Sequence, residues 1–324
     1  MVAETQQKRP RLARLDIARG IALIAMAIYH CAWDFEFFGY LDPATTTQGG
    51  WKLFARGIAS SFLMLVGFSL VLAHGKGIRW SQSTRRLVQI GAAAAAITLA
   101  TWYFTPGTFV FFGILHHIAL ASIIGLAFLR LPFPALFAMA AVVVAAPHYL
   151  RADWFDYPAL WWVGLSTIPI KSNDYVPLLP WFAAVLTGMG LARLFQYGGF
   201  MRWLQGDIQP FWLNRPLTFI GRHSLAFYLI HQPVLISMVF LLSLVSPPVA
   251  QTPQQAFART CEQGCAANSD KAFCQRFCSC VIADFEAKEI FDEVYAGKRD
   301  VENDPSVLDT ITLCTESSEE MPPQ

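Results

Sequence analysis

Residues 14–38 read RLDIARGIALIAMAIYHCAWDFEFF, a run long and apolar enough to cross a bilayer as a helix. The same run carries four groups that hydrocarbon penalises: Asp16, Arg19, His30 and Asp34. Eleven steps at about 100° each bring Arg19 and His30 to within about 20° of one line along a helix, and Asp16 and Asp34 fall within about 60° of it. An ionisable group facing lipid costs several kcal/mol. The stripe therefore constrains the whole chain. Other helices must pack beside this one and give the stripe a protein interior or a wet cavity to face.

Composition supplies those helices. The 324 residues are 55% apolar and only 15% charged, against about 25% charge in a soluble domain. The fold class that follows is an all-α polytopic membrane protein. The net charge of +1 hides a split: residues 1–250 hold 18 Lys/Arg and 9 Asp/Glu, whereas residues 251–324 hold 6 and 14. Six of the seven cysteines lie in that acidic part, and Cys31 alone lies in the membrane part. The chain thus divides into an N-terminal tail (1–15), a transmembrane domain (16–246) and a cysteine-rich helical tail (247–324). Basic residues sit at loop edges rather than in one patch, so no nucleic-acid partner is expected. KRPRLAR followed by an apolar run mimics a signal peptide, but Asp16 and Arg19 interrupt the run and no small-x-small cleavage site precedes His30.

Seven apolar segments predict a bundle of about seven transmembrane helices: 16–37, 53–74, 87–104, 109–129, 133–150, 178–197 and 217–245. Residues 154–170 are apolar too, but Pro158, Trp161, Trp162 and Pro169 favour an interfacial or re-entrant segment over an eighth span. With a cytoplasmic N-terminus, the inner side receives Lys8, Arg9, Arg11, Arg14, Lys76, Arg79, Arg85, Arg86, Arg130, Arg193, Arg202 and Arg215. The outer side receives Lys52, Arg151 and Lys171. The asymmetry sets this orientation in an inner (plasma) membrane, and seven spans leave the tail outside, in the periplasm.

The tail cysteines agree with an oxidising compartment. Cys261, Cys265, Cys274, Cys278, Cys280 and Cys314 form an even set in which C-x3-C occurs twice. Positions i and i+4 share a helix face, so two such helices joined by a turn at 267–270 can be stapled together. Outer with inner is the natural pairing, Cys261 with Cys278 and Cys265 with Cys274, and Cys280 with Cys314 closes the set; six cysteines allow fifteen arrangements. A zinc site is the rival, but the tail has no C-x2-C and no histidine. No metal is expected.

The spacing of Arg19, ten residues and His30 resembles the signature of the acyltransferase-3 group of membrane acyltransferases. The fuller stretch RLARLDIARGIALIAMAIYH is similar to relatives of heparan-alpha-glucosaminide N-acetyltransferase, as are GILHHIALASIIGLAFL, DYVPLLPWFAAVLTGMGLA and IGRHSLAFYLIHQPVL, in that order. Together they cover about residues 11–245, and the tail lies outside the family pattern. The lysosomal enzyme carries its active histidine on the lumenal side after its first family helix. The role of His30 therefore rests on the acyltransferase-3 pattern, which puts the histidine on the helix.

The resemblance implies transfer of an acyl group, typically acetyl, from cytosolic acetyl-CoA to an extracytoplasmic glycan or amino-sugar acceptor. Histidine titrates near neutrality and suits a base or an acyl carrier, the role implied for His30. Asp34, one turn on, is placed to hold the imidazole tautomer. Arg19, Arg85, Arg86 and Arg222 are the candidates for donor phosphates. His116, Asp174, Trp181, Tyr228 and His231 are the candidates for the acceptor: Asp174 and Trp181 at the outer mouth of the sixth span, His116 eight residues into the fourth from outside, and His231 near the middle of the seventh on a face with Tyr228. His74 and His148 read as interfacial. Two other classes remain: a transporter or flippase that uses the polar stripe as a path, and a membrane-anchored scaffold that presents the tail to a periplasmic partner.

Overall fold

The computed structural model describes residues 12–42, 44–75, 77–205, 211–248, 252–266, 269–299, 301 and 303–319. Lys8, Arg9, Arg11, Lys76 and part of the turn expected at 267–270 lie outside the described residues. The membrane part is built from α1 (Ala13–Phe37), α2 (Gly49–His74), α3 (Trp80–Phe104), α4 (Ile114–Phe128), α5 (Phe133–Tyr149), α6 (Leu178–Tyr197), α7 (Met201–Gln205), α8 (Phe211–Arg222) and α9 (Ser224–Val245). Five of these, α1, α2, α3, α6 and α9, are long and apolar enough to cross a membrane, and α4 and α5 are shorter apolar helices. No strand occurs among the described residues. The protein is an all-α, multi-pass membrane protein.

Three segment boundaries differ from expectation, each for a local reason. The segment at 217–245 is two helices, because the chain turns at His223 between α8 and α9. α8 is amphipathic, with Trp212 and Phe219 on one side and Asn214, Thr218 and Arg222 elsewhere, whereas α9 is apolar almost throughout. The segment expected from 109 begins as a helix only at Ile114, since 109–113 are held in a loop. α3 begins at Trp80, seven residues before the expected 87, and so takes Arg85 and Arg86 into its first turns. The stretch at 154–170 contains only the 3-10 helices Asp153–Asp156 and Pro158–Val163. Pro158 and a left-handed Gly164 (φ 90°) end any α-helix there.

The chain forms two compact units, one of residues 1–28 and 53–233 and the other of 29–52 and 234–324, so α1 contributes to both. In the first, Leu63, Leu136, Val185, Leu186 and Met189 are fully buried, and α6 packs against α4 and α5. α2 and α6 meet backbone to backbone: a Cβ on Gly67 would run into the Val185 carbonyl, and one on Gly188 into the Met64 carbonyl. Reciprocal glycines of this kind suit a membrane, where close van der Waals packing replaces the hydrophobic drive.

The second unit carries the tail helices α10 (Pro253–Cys265), α11 (Lys271–Ala287), α12 (Phe291–Tyr295) and α13 (Pro305–Glu319). Thr252 caps α10 by a reciprocal exchange with Gln255, and Asp270 caps α11 on the N–H groups of Ala272 and Phe273. Disulfides join Cys261 to Cys278, Cys265 to Cys274 and Cys280 to Cys314. Val281, Phe285, Ile290, Phe291 and Val307 form a small core beside them. In the same unit the Tyr40 hydroxyl donates to the Ser246 carbonyl at 2.5 Å, Arg259 pairs with Asp42, and Phe38 lies 6.1 Å from Phe240.

Gly188→Leu should force α2 and α6 apart and abolish recovery of monodisperse protein, whereas Gly188→Ala should cost about 1–3 kcal/mol and lower the melting temperature in detergent. In the tail, Cys280 and Cys314 close 34 residues and Cys265 and Cys274 close 9. Replacing the first pair by serines should destabilise α11 and α13 by roughly 1 kcal/mol more than replacing the second, read by hydrogen exchange on the full chain.

Candidate functional site

The membrane unit holds charge in two different states. The first is a closed cluster. Asp16, in the first turn of α1, pairs with Arg19 at 2.9 Å and with Arg222 of α8 at 3.5 Å. Arg19 also donates to the Ser69 hydroxyl of α2 at 2.5 Å, and Ser69 donates on to the Leu65 carbonyl. α1 and α8 approach closely enough for this because Gly20 faces the Leu217 carbonyl and Gly221 faces the Asp16 carbonyl. One carboxylate and one hydroxyl thus engage both guanidiniums, which makes Arg19 and Arg222 a clamp between helices.

The second state is open. Where α2 ends and α3 begins, a cavity of about 210 Å³ is lined by His74, Arg79, Gln82, Ser83, Arg86 and Ser122 over Leu70, Leu87 and Ile90. No Asp or Glu lines it. His74 is buried, and its Nδ1 accepts the Arg79 backbone N–H at 3.2 Å, which places the imidazole proton on Nε2. Arg79 donates from Nε to the Ala73 carbonyl at 3.1 Å, so its stem is fixed while its terminal nitrogens are left for the cavity. Arg86 has no ion-pair partner among the described residues. Ser69 of the clamp lies one helical turn from Ala73 on the cavity wall. Two arginines, amide and hydroxyl donors and no acidic lining make this a candidate anion site.

Sequence reasoning found Arg86 but treated Arg79 only as an inner-side charge and His74 as interfacial; it overlooked Gln82, Ser83 and Ser122. The available signal was the spacing of seven between Arg79 and Arg86, which returns a helix to nearly the same face. Arg85, their neighbour, is exposed and does not line the cavity.

At the other end of α3 the structure brings His116, Asp174 and Tyr228 around one shallow crevice. Two of the three are engaged by the protein. Asp174 accepts the Ile114 N–H at 2.9 Å, which serves the N-terminus of α4; burial pushes its carboxyl up, and that hydrogen bond opposes the shift. His116 accepts the Gly113 N–H at Nδ1 and donates from Nε2 to the Thr98 hydroxyl at 3.1 Å, which donates to the Val110 carbonyl. His117, fully buried, donates from Nδ1 to the Val176 carbonyl. His231 is buried in α9 and donates from Nδ1 to the Tyr228 carbonyl at 2.7 Å. Trp181 packs on the main core.

His30 and Asp34 belong to the second unit. They stand one turn apart on α1, and Asp34 is fully buried rather than solvated. His30 meets the edge of Tyr29, whose hydroxyl donates to the Thr46 carbonyl at 3.3 Å. Glu36, which carried no sequence signal, orders the following loop: it accepts from the Ala44 N–H, the Thr46 N–H and the Thr46 hydroxyl, each at 2.7 Å. Among the described residues no group of three His, Cys, Asp or Glu side chains is arranged to hold a metal ion.

No curated protein and no solved structure matches the chain. The family model for the catalytic part of heparan-alpha-glucosaminide N-acetyltransferase matches residues 11–233, which is most of the chain and includes the clamp, the basic cavity and His30. The chain belongs to that family and is a multi-pass membrane acetyltransferase.

Proposed function

We propose that the protein moves an acetyl group from cytosolic acetyl-CoA to a glycan or amino-sugar acceptor beyond an inner (plasma) membrane. The observation that carries this reading is the acid-free cavity of Arg79 and Arg86. Guanidiniums without carboxylate partners are available to an anion, and the donor's phosphates are the anions this chemistry supplies. At about 210 Å³ the cavity suits a phosphate-bearing end, with the pantetheine arm extending away from it. The positive-inside preference supports a cytoplasmic position for this end, with Arg79, Arg85 and Arg86 at it in sequence. The three disulfides of the tail support an oxidising, periplasmic position for it. In this reading residues 16–246 form the catalytic membrane domain and 247–324 a periplasmic appendix.

For the transfer itself we assign the base to His30, with Asp34 holding its tautomer. The imidazole takes the proton from the acceptor's amine or hydroxyl as that atom attacks the thioester carbonyl. The carbon–sulfur bond breaks, and the proton passes to the departing thiolate, which restores neutral imidazole. Burial of Asp34 one turn from His30 favours a tautomer-holding role over that of a solvated surface carboxylate. Arg19 and Arg222, already paired through Asp16, contribute by holding α1 in place.

Arg79→Ala and Arg86→Ala should each raise the KM for acetyl-CoA about tenfold or more, the loss expected for one charge-assisted phosphate contact, with expression unchanged. Unchanged KM values in both variants would remove the donor from this cavity. His30→Ala should lower kcat by about 10²–10⁴-fold while topology and yield stay as in the wild type. A fully active variant would sink the assignment of the base.

A further inference from the structure

Two loops meet at the end of the membrane unit opposite the basic cavity: residues 105–113, between α3 and α4, and residues 150–177, between α5 and α6. They are laced together. The Asn173 and Val176 N–H groups donate to the Thr108 and Phe112 carbonyls, at 2.8 and 3.1 Å. Ser172 donates to the Phe109 carbonyl, and the Asn173 amide donates to the Thr105 hydroxyl. Across this seam rings of the two loops meet at two places, adjacent in sequence on both loops. Phe111 lies 5.6 Å from Trp161 and 5.7 Å from Tyr175, and Phe112 lies 6.3 Å from Trp162.

These rings differ from an interfacial belt. Belt aromatics project outward at the membrane interface, and Tyr103, Phe104, Tyr149 and Tyr157 have that kind of exposure, each more than two-thirds exposed. The loop rings are instead half-buried and packed on one another. They are also fixed from below. Trp161 donates its indole N–H to the Asp156 carbonyl at 2.9 Å and receives the Tyr175 hydroxyl on its own carbonyl at 2.6 Å. The Asp156 carboxylate is held by the Ser166 hydroxyl and by both the hydroxyl and N–H of Thr167. Those bonds, the Thr167 hydroxyl first, keep its carboxyl down at about 2, so the clasp stays charged through the physiological range. The result is a rigid, pre-formed apolar shelf rimmed by exposed Thr167 and Asn173. Trp162 is the exception in its satisfaction: its ring touches Phe112, and its N–H has no acceptor among the described residues. An indole with one face to offer and an unused donor is complementary to a ring that has an apolar face and hydroxyls at its edge.

We propose that Phe111, Phe112, Trp161 and Trp162 form the acceptor-docking shelf, on which a pyranose ring of a glycan stacks with a hydroxyl toward the Trp162 N–H. The assignment rests on the glycan-acceptor reading above and adds to it the surface that recognises the sugar. These residues position the acceptor and take no part in proton transfer.

The test is binding of a heparan-derived disaccharide ending in glucosamine to the full-length protein in detergent, by calorimetry without acetyl-CoA. Trp162→Ala and Phe112→Ala should each weaken binding about tenfold, the loss of one stacked aromatic contact, with affinity for acetyl-CoA unchanged. Trp162→Phe should retain stacking but lose the donor and fall between wild type and Trp162→Ala, which also separates docking from misfolding. If the wild type binds the disaccharide and all three variants bind it equally well, the shelf is overturned and the acceptor reading survives. If the wild type binds no such disaccharide, the acceptor reading itself fails and the shelf falls with it.

Discussion

Asp16 is shared by two guanidiniums on two helices, and the membrane unit depends on that sharing. Arg19 lies inside an apolar run, where its charge would be prohibitive unpaired. Asp16 one turn before it supplies the counter-charge, Ser69 supplies an acceptor from α2, and Arg222 brings α8 against α1. Arg222 reaches Asp16 because Gly20 and Gly221 let the backbones of α1 and α8 touch. A paired charge network also fixes register, since sliding α1 against α8 by one residue would break the Asp16–Arg222 pair. The polar stripe on α1 is therefore first an assembly device.

That conclusion divides the arginines by what they have left to give. Arg19 and Arg222 are engaged by a carboxylate and a hydroxyl from their own chain. Arg79 and Arg86 stand around a cavity with no acidic lining. In low dielectric an uncompensated pair of guanidiniums is tolerable where water or an anion reaches it. The electrostatics thus separate paired from uncompensated cations, a distinction that a count of positive residues cannot make.

The helices were legible because spanning segments need about twenty apolar residues each, and that signal survives without tertiary information. α1, α2 and α6 lie within a few residues of their expected bounds. The break at His223 was not legible: both flanks are apolar enough to merge, and only the amphipathic character of α8 separates them. The site was legible in part. Arg86 was visible from its position, but the cavity needs His74 and Ser122, which lie on helices far apart in sequence. Asp174 and His116 illustrate the converse. Each has the right chemistry, and each is engaged in capping the start of α4, a use that appears only once 113–116 and 174 are seen together.

The cysteines gave the tail away as a stapled helical module, yet nothing in the sequence placed it beside a particular membrane segment. The structure groups residues 234–324 with 29–52 in one compact unit. Arg259 of α10 pairs with Asp42, Tyr40 reaches the Ser246 carbonyl, and Glu36 ties residues 44–46 back to the end of α1. The segment so bound is the one that carries His30 and Asp34. Disulfides stabilise the module by restricting its unfolded state, and a stably folded module holds in place what it packs against. The tail lies outside the matched catalytic region in sequence, but by packing it shares a unit with the half of α1 that bears the candidate base. Its physical consequence is to fix the loop that follows His30, whatever else its acidic surface meets.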